Sequence, residues 1–452
     1  MLQTAAIPAG TVDDRPAIGR LAALGFQHVL VMYAGNVAVP LLVAEALKLP
    51  PDQTAFLINS GLFAAGIATL IQTLGIGGFG ARLSVGARLP VMMGATFLSV
   101  SPMIAMGLNP GIGLPGFHGA LLVSGLAGIL IAPLIGRILP LFPAVVTGSL
   151  ITLLGISLLT VAMNWAAGGD PANPAYGDLK GLAVAFLVFI VIVVLTKYAR
   201  GIWKSLAILL GILAGTLAAI PLGWIRMEGV AEAPWMALVE PFHFGLPTFH
   251  GGAIVTMSIV MLITLVESTA VFLALAEITG ARFTGQDLTN SLRGDGLGIF
   301  AGGLFNAFPF TSFSQNVGLV TVTGVRSRYV CATGGLILMV LGLLPKLAHV
   351  VAAVPQQVLG GAGIVMFGMV AAAGVRILSA VDFSGKGQNG GHNLFIVASA
   401  LGFGMIPTLS PRFFQHFPDW ASPITGSGVV LGTLVAVLLN LLLNWNRLPE
   451  SI

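Results

Sequence analysis

Charge is scarce in this chain. Of its 452 residues only 8% are Asp, Glu, Lys or Arg, against about 25% in a soluble protein, which excludes an ordinary water-facing surface. Cysteine is scarcer still: Cys331 stands alone in an apolar stretch, so neither a disulfide nor a cysteine-based metal site can be built. The sequence has no His-Glu-x-x-His and no Gly-x-Ser-x-Gly, which removes the usual constellations for an enzyme, and no cofactor is implied. No ring of charges or repeated filter sequence points to a channel. The net charge of +4 is dispersed over loops, so nucleic acid is not an implied partner.

What is present is apolar sequence, 56% of the chain. Fourteen runs can be marked, at 21–47, 54–76, 89–107, 118–136, 141–163, 180–196, 203–224, 253–277, 296–309, 314–325, 329–345, 352–375, 392–407 and 424–444. Most are long enough, at about 1.5 Å per residue, to cross a hydrocarbon core roughly 30 Å thick as helices. The expected fold class is an all-α membrane protein with lipid as its solvent. Residues 1–20 lack a signal-peptide pattern and read as a cytoplasmic tail. With the N-terminus inside, fifteen of the 20 basic residues fall on the cytoplasmic side. Lys48, Lys180, Arg226, Lys346 and Arg412 are left outside, a bias that satisfies the positive-inside rule. Both termini are then cytoplasmic in a bacterial inner membrane.

Fourteen divides into seven plus seven, and an odd number of spans inverts the second half. The expected organisation is a first repeat at 21–225, a periplasmic connection at 226–252, a second repeat at 253–444 and a cytoplasmic tail at 445–452. Inverted repeats are a transporter architecture. The third segment carries Gly86, Arg88, Pro90, Gly94 and Pro102, and its counterpart, the tenth, is led by Pro309 and contains Gly318 and Gly324. Glycine and proline interrupt the helical ladder, and freed backbone groups cannot face lipid. These two segments are therefore expected to line an enclosed cavity near the midplane.

Several polar residues could serve such a cavity. Glu267 is the only charge between Met257 and Ala276, and a lone intramembrane carboxylate costs about 2.5–3.5 kcal/mol on insertion scales. Gln315 and Asn316 offer coplanar donors and acceptors suited to the edge of a heterocycle, although such residues also cement helix contacts. Asp295 precedes the ninth segment and fits either a helix-start carboxylate or a functional group. His28 fits either a packing element or a functional one. Phe97 and Phe313, one on each interrupted segment, could stack on an aromatic ligand or fill the core.

The stretch Gln315-Asn316-Val317-Gly318-Leu319-Val320-Thr321-Val322-Thr323-Gly324 resembles the signature of the nucleobase-ascorbate transporter family, also called nucleobase:cation symporter 2. Gln27-His28, Glu267-Ser268-Thr269 and Asp295-Gly296 agree with it, and the resemblance spans essentially the whole chain. It implies a core domain holding the first, third, eighth and tenth segments and a gate domain that mediates a homodimer. It further implies that Glu267 and Gln315 bind the nucleobase, with backbone near Ser314, Ala95 and Thr96 completing the contacts. Phe97 and Phe313 would flank the ring. Asp295 and His28 match positions needed for transport, Asn316 and Gly318 would shape the site, and Thr323 and Gly324 would influence purine selectivity.

Two departures bear on substrate and coupling. Ala270-Val271 stand where many xanthine carriers of the family have Gly-Asp, which removes a second carboxylate. Gln315 and Gly324 stand where the pyrimidine branch typically has Glu and often Arg. The resemblance therefore implies proton-coupled import of an oxidised purine, urate ahead of xanthine, with protonation of Glu267 or Asp295 accompanying loading. Sodium coupling and an anion carrier of the same general fold are the competing readings.

Overall fold

The computed structural model describes residues 11–77, 84–169, 171–225, 227, 229–384 and 390–444. The terminal tails at 1–10 and 445–452, and Arg82, Arg226, Lys386 and Arg447 of the charge reading, lie outside the described residues. In chain order the segments are α1 (Ile18–Ala46), α2 (Pro51–Leu74), β1 (Met93–Ala95), α3 (Val100–Gly107), α4 (Gly113–Ile131), α5 (Ala144–Ala166), α6 (Leu179–Tyr198) and α7 (Ala207–Ala219). The second half follows with α8 (Gly251–Thr279), α9 (Gly285–Leu304), β2 (Phe310–Ser312), α10 (Ser314–Thr323), α11 (Arg328–Gly342), α12 (Gln356–Leu378), α13 (Gly390–Leu409) and α14 (Gly428–Asn444). Short helical turns join some of them. Among the described residues, each of these fourteen numbered helices answers in order to one apolar run, and an eight-residue helix at Pro345–Ala352 is left outside the numbering.

Among the described residues, α1, α2, α4, α5, α6, α8, α12 and α13 are each long and apolar enough to cross a bilayer alone. The others are shorter, more polar or, like α11, followed by a sharp bend: the short helix at Pro345–Ala352 leaves its line by 82°. A helix that fails the hydropathy test can still span where neighbours shield it from lipid.

Packing follows a repeat. Helix α2 lies along α11 and α4 along α9; α1 packs on α11 and α8 on α4; α6 packs on α7 and α13 on α14. Advancing every helix by seven places round the set of fourteen converts the first member of each of these pairs into the second. The two sets of seven helices thus repeat one packing pattern. Helix α5 packs along α12, its own counterpart. The contacts sort α1–α4 and α8–α11 into a core group, and α5–α7 and α12–α14 into a gate group.

Small residues set the close approaches, as lipid supplies no hydrophobic drive between helices. On α5 and α12, Gly148 faces Leu378, Thr152 faces Gly374, Gly155 faces Ala371 and Ala166 faces Gly360. As numbers rise on one helix they fall on the other, so the pair is antiparallel.

One boundary differs from expectation and changes the reading of a site residue. The ninth segment was expected from residue 296, but α9 starts at Gly285, where Thr284 and Asp287 form a reciprocal capping box. Asp295 is therefore mid-helix and fully buried, not a helix-start carboxylate. The polar first half of α9 is hidden from lipid because Gly294 packs on Gln72 and Gly296 on Ile129.

Candidate functional site

The interrupted segments meet in the middle of the core group. Strands β1 and β2 pair antiparallel, Met93 opposite Ser312, Gly94 opposite Thr311 and Ala95 opposite Phe310. The ladder is extended by Phe313 N donating to the Met92 carbonyl at 2.9 Å and Thr96 N donating to the Pro309 carbonyl at 3.0 Å. All six strand residues are buried. Backbone that left its helix thus finds partners in the other repeat, as burial away from water demands.

Each strand runs into a half-helix. After β1 a single tight turn, Phe97–Ser99, leads into α3, with the Thr96 side chain capping Leu98 N; after β2, α10 starts at Ser314. The first N–H groups of a helix have no intrahelical acceptor, so two partly positive ends adjoin one ladder. Such ends favour carbonyl oxygens or anionic groups of a ligand.

The two half-helices are exposed unequally. On α10, Ser314, Gln315, Gly318, Thr321 and Val322 are exposed, whereas on α3 Val100, Pro102, Met103 and Met106 are buried. A polar face at membrane depth must border water or protein rather than lipid. The site is accordingly open along α10 and closed along α3. The open side is that of Asp13, which accepts from Arg328 just beyond α10 at 2.7 Å. On the closed side the Phe97 ring meets the gate residue Phe367 edge-on, centroids 5.5 Å apart. Farther out there, a crevice of about 1050 Å³ separates the ends of α1 and α2 from those of α5 and α12. No ladder residue lines it.

Glu267 lies on α8 at the level of the ladder. It is half-buried, and its carboxylate has no hydrogen bond or ion pair among the described residues. The next residue, Ser268, places its hydroxyl 3.4 Å from that of Thr311 in β2. Asp295 on α9 lies within electrostatic range of Glu267, with Ser268 and Gln72 also facing its carboxylate. Gln72 Nε2 donates to Asp295 Oδ1 at 2.6 Å, while the buried Oδ2 has no partner.

His28 and Asn316 are brought together on the inner side of the core group. Asn316 is buried and turned from the open face of α10 towards α1, and Cys331 Sγ lies 3.8 Å from His28 Nδ1. These two residues fix where α10 sits rather than lining the opening.

The remaining expected residues divide in the same way. Gln315 is exposed at the start of α10, its Oε1 3.5 Å from the Ser314 hydroxyl. Phe97 is half-buried beside the site, but Phe313 is 6% exposed, its ring lying against Gly35 and Gly94. Gly318 has nothing within 4 Å of where a Cβ would lie, so it leaves free space and no helix approaches it. Thr323 caps back onto the Leu319 carbonyl at 2.8 Å, and Gly324 ends α10 with φ 65°, a left-handed conformation that favours glycine.

Three supporting residues escaped the sequence reading. Asn36 accepts from Ala95 N at 2.7 Å, Thr69 accepts from Met93 N at 3.0 Å, and Gln72 accepts from Ala87 N at 2.9 Å. Polarity inside α1 and α2 was the available signal; the partners, 15 to 59 residues away, were not legible.

Residues 19–413 match the Permease family. The chain is 48% identical over 446 residues to the uric acid transporter UacT of Escherichia coli, covering 97% of this chain and 90% of that one. It is 44% identical over 430 residues to a xanthine permease of Bacillus subtilis, covering 95% of both. In fold it is similar to the transmembrane domain of a cyanobacterial bicarbonate transporter, BicA, with a TM-score of 0.56 at 17% identity, covering 95% of this chain and 99% of that one. The murine anion transporter Slc26a9, in an inward-facing state, gives a TM-score of 0.58 at 13% identity over 95% of this chain and 69% of that one.

Proposed function

The chain belongs to the Permease family, a transporter rather than an enzyme, and on that premise we propose that it imports oxidised purines, urate ahead of xanthine, together with protons. The observation that carries this reading is that α8, which bears Glu267, packs against both β2 and α10, which bears Gln315, at the ladder where two half-helices begin. Gln315 supplies one donor and one acceptor in a plane. Glu267 accepts from ring N–H groups, and the helix ends favour the exocyclic oxygens that distinguish an oxidised purine. Phe97 offers a ring face at the same level.

Specificity follows from hydrogen bonding. A polar site rejects an analogue lacking the matching group far more strongly than an apolar pocket does, so one exocyclic oxygen is enough to separate urate from xanthine. Coupling is assigned to two carboxylates, the half-buried Glu267 and the fully buried Asp295, with proton uptake accompanying loading. Movement of the core group against the gate group then exposes the ladder alternately to either side. With the N-terminus cytoplasmic, the open face of α10 corresponds to the inward-open state. The homodimer implied by the resemblance would form through the gate group, where α6 exposes Leu182, Phe186, Leu187 and Ile190.

Uptake of labelled urate, xanthine and uracil by cells expressing the chain, with and without a protonophore, tests this. Protonophore-sensitive uptake of urate over xanthine is the expected result. Preference for xanthine would overturn the urate assignment, indifference to the protonophore would overturn proton coupling, and exclusion of all three would overturn the substrate class.

A further inference from the structure

We propose that Gln72 is the positioning residue through which proton uptake at Asp295 reaches the purine site, an inference that rests on the coupled-transport reading above. Gln72 is fully buried near the end of α2. Its Nε2 donates both to Asp295 Oδ1 at 2.6 Å and to the Ser291 carbonyl at 2.8 Å. Its Oε1 accepts from Ala87 N at 2.9 Å, and its backbone carbonyl accepts from Arg88 N at 2.7 Å. Gly86 N donates to the Asn290 carbonyl of α9 at 2.7 Å. Residues 86–88, the lead-in to β1, are thus suspended from Gln72 and α9, five residues before the ladder begins at Met93.

The carboxylate that Gln72 grips is unevenly satisfied. Oδ1 takes the amide hydrogen, and Oδ2, equally buried, has no partner. A buried acceptor in that condition is where a proton gains most. Once Oδ2 carries the proton, Oδ1 is a neutral carbonyl oxygen and accepts more weakly than a charged one. Gln72 keeps its bond to Ser291 but loses part of its grip on Asp295, and the Ala87 N–H on its other end must follow. The only bond made is the O–H on Oδ2, formed with a proton taken up from the aqueous phase at loading and broken when that proton is returned at release.

The charged groups around Asp295 are few. From α8, Glu267 lies within electrostatic range and Ser268 faces the carboxylate. Among titratable residues α2 carries only Asp52, at its opposite end, and α4 only His118, which lies towards the Gly303 end of α9. Arg88 follows Ala87 in the suspended lead-in, and Arg293 is on α9 itself. No other side chain on α2 donates to Asp295 among the described residues.

The test uses the full chain reconstituted in vesicles, as wild type, Gln72→Leu and the isosteric Gln72→Glu. Two readouts are taken as external pH is varied: purine accumulation, and purine-for-purine exchange, which needs no net proton movement. Both variants are expected to exchange within about threefold of wild type while accumulation falls by about tenfold and its pH dependence flattens, within the usual range of a site-to-site coupling. Two variants keep the question open should one fail to fold. Wild-type accumulation and pH profile in both variants would overturn the inference, as would equal loss of exchange and accumulation, which marks a purely structural role. If the wild type itself ignored the proton gradient, the coupled-transport reading would fall first, and that outcome is distinct from either variant result.

Discussion

Asn316 holds His28 with a single nitrogen: its Nδ2 lies 3.0 Å from the His28 carbonyl oxygen and 3.0 Å from His28 Nδ1. A carbonyl can only accept, so the amide nitrogen faces it, and the ring Nδ1 accepts from the same group. The proton of a neutral His28 is therefore placed on Nε2. In this way the signature residue of α10 is tied to α1, 288 residues away in sequence.

Asn316→Leu takes the amide donor from buried His28 Nδ1, leaving it only the 3.8 Å contact with Cys331 Sγ, and the His28 carbonyl keeps only its partner within α1. Loss of a buried partner costs about 1–3 kcal/mol, so the purified variant should melt several degrees below wild type in detergent. Because Asn316 is turned away from the opening, its loss should reduce transport through folding and site shape. An unchanged melting temperature would refute the arrangement.

Glu267→Gln and Gln315→Ala should both reach the membrane in normal amount, since neither residue supports another through any described hydrogen bond beyond the 3.5 Å contact with Ser314. Each removes a proposed ligand contact, and a lost hydrogen-bonding partner of about 1–3 kcal/mol corresponds to roughly five- to 150-fold in affinity. Uptake kinetics in cells, normalised to expression, are the measurement. Normal transport by both would move the site elsewhere.

The unequal exposure of the half-helices can be read chemically. Cys331 is fully buried, so Cys331→Ser gives a cysteine-free background. Cysteines at Gln315, Thr321 or Val322 should react with a membrane-impermeant thiol reagent applied from the side of Arg328, and cysteines at Met103 or Met106 should not react from either side. Reaction at Met103 from the opposite side would show that the closed face opens readily.

Glycines at two positions should respond in opposite ways. A side chain at Gly155 would meet the Ala371 backbone nitrogen at 2.3 Å, and overpacking typically costs about 1–3 kcal/mol. Gly155→Val should lower the melting temperature. Gly318→Ala meets nothing and gains up to about 1 kcal/mol of helix propensity. It should melt at or above the wild-type temperature while weakening purine uptake, because the new methyl enters the opening.

Much of the fold was legible because lipid leaves a chain few choices: each apolar run became a helix in the expected order. The interrupted segments were legible for the converse reason, since Pro90, Gly94 and Pro309 break helices. The start of α9 was not, because Gln286, Asp287, Asn290 and Arg293 look like loop sequence until Gly294 and Gly296 are seen packed on α2 and α4. The candidate site was legible in the polar residues that apolar sequence makes conspicuous, Glu267 and Gln315. It was not legible in Gln72, whose contact with Asp295 spans 223 residues of sequence. Nor could sequence show that Phe313 is buried while Phe97 borders the gate.

The two-stranded ladder also sets a timetable for biosynthesis. Its first strand leaves the ribosome 217 residues before its second, the separation of Met93 from Phe310. At about 5–20 residues per second the wait is roughly 10–40 s, during which the unpaired backbone of 93–95 has no partner at its final depth. Neither half made alone can close the ladder, so the candidate site is among the last parts of the molecule to exist.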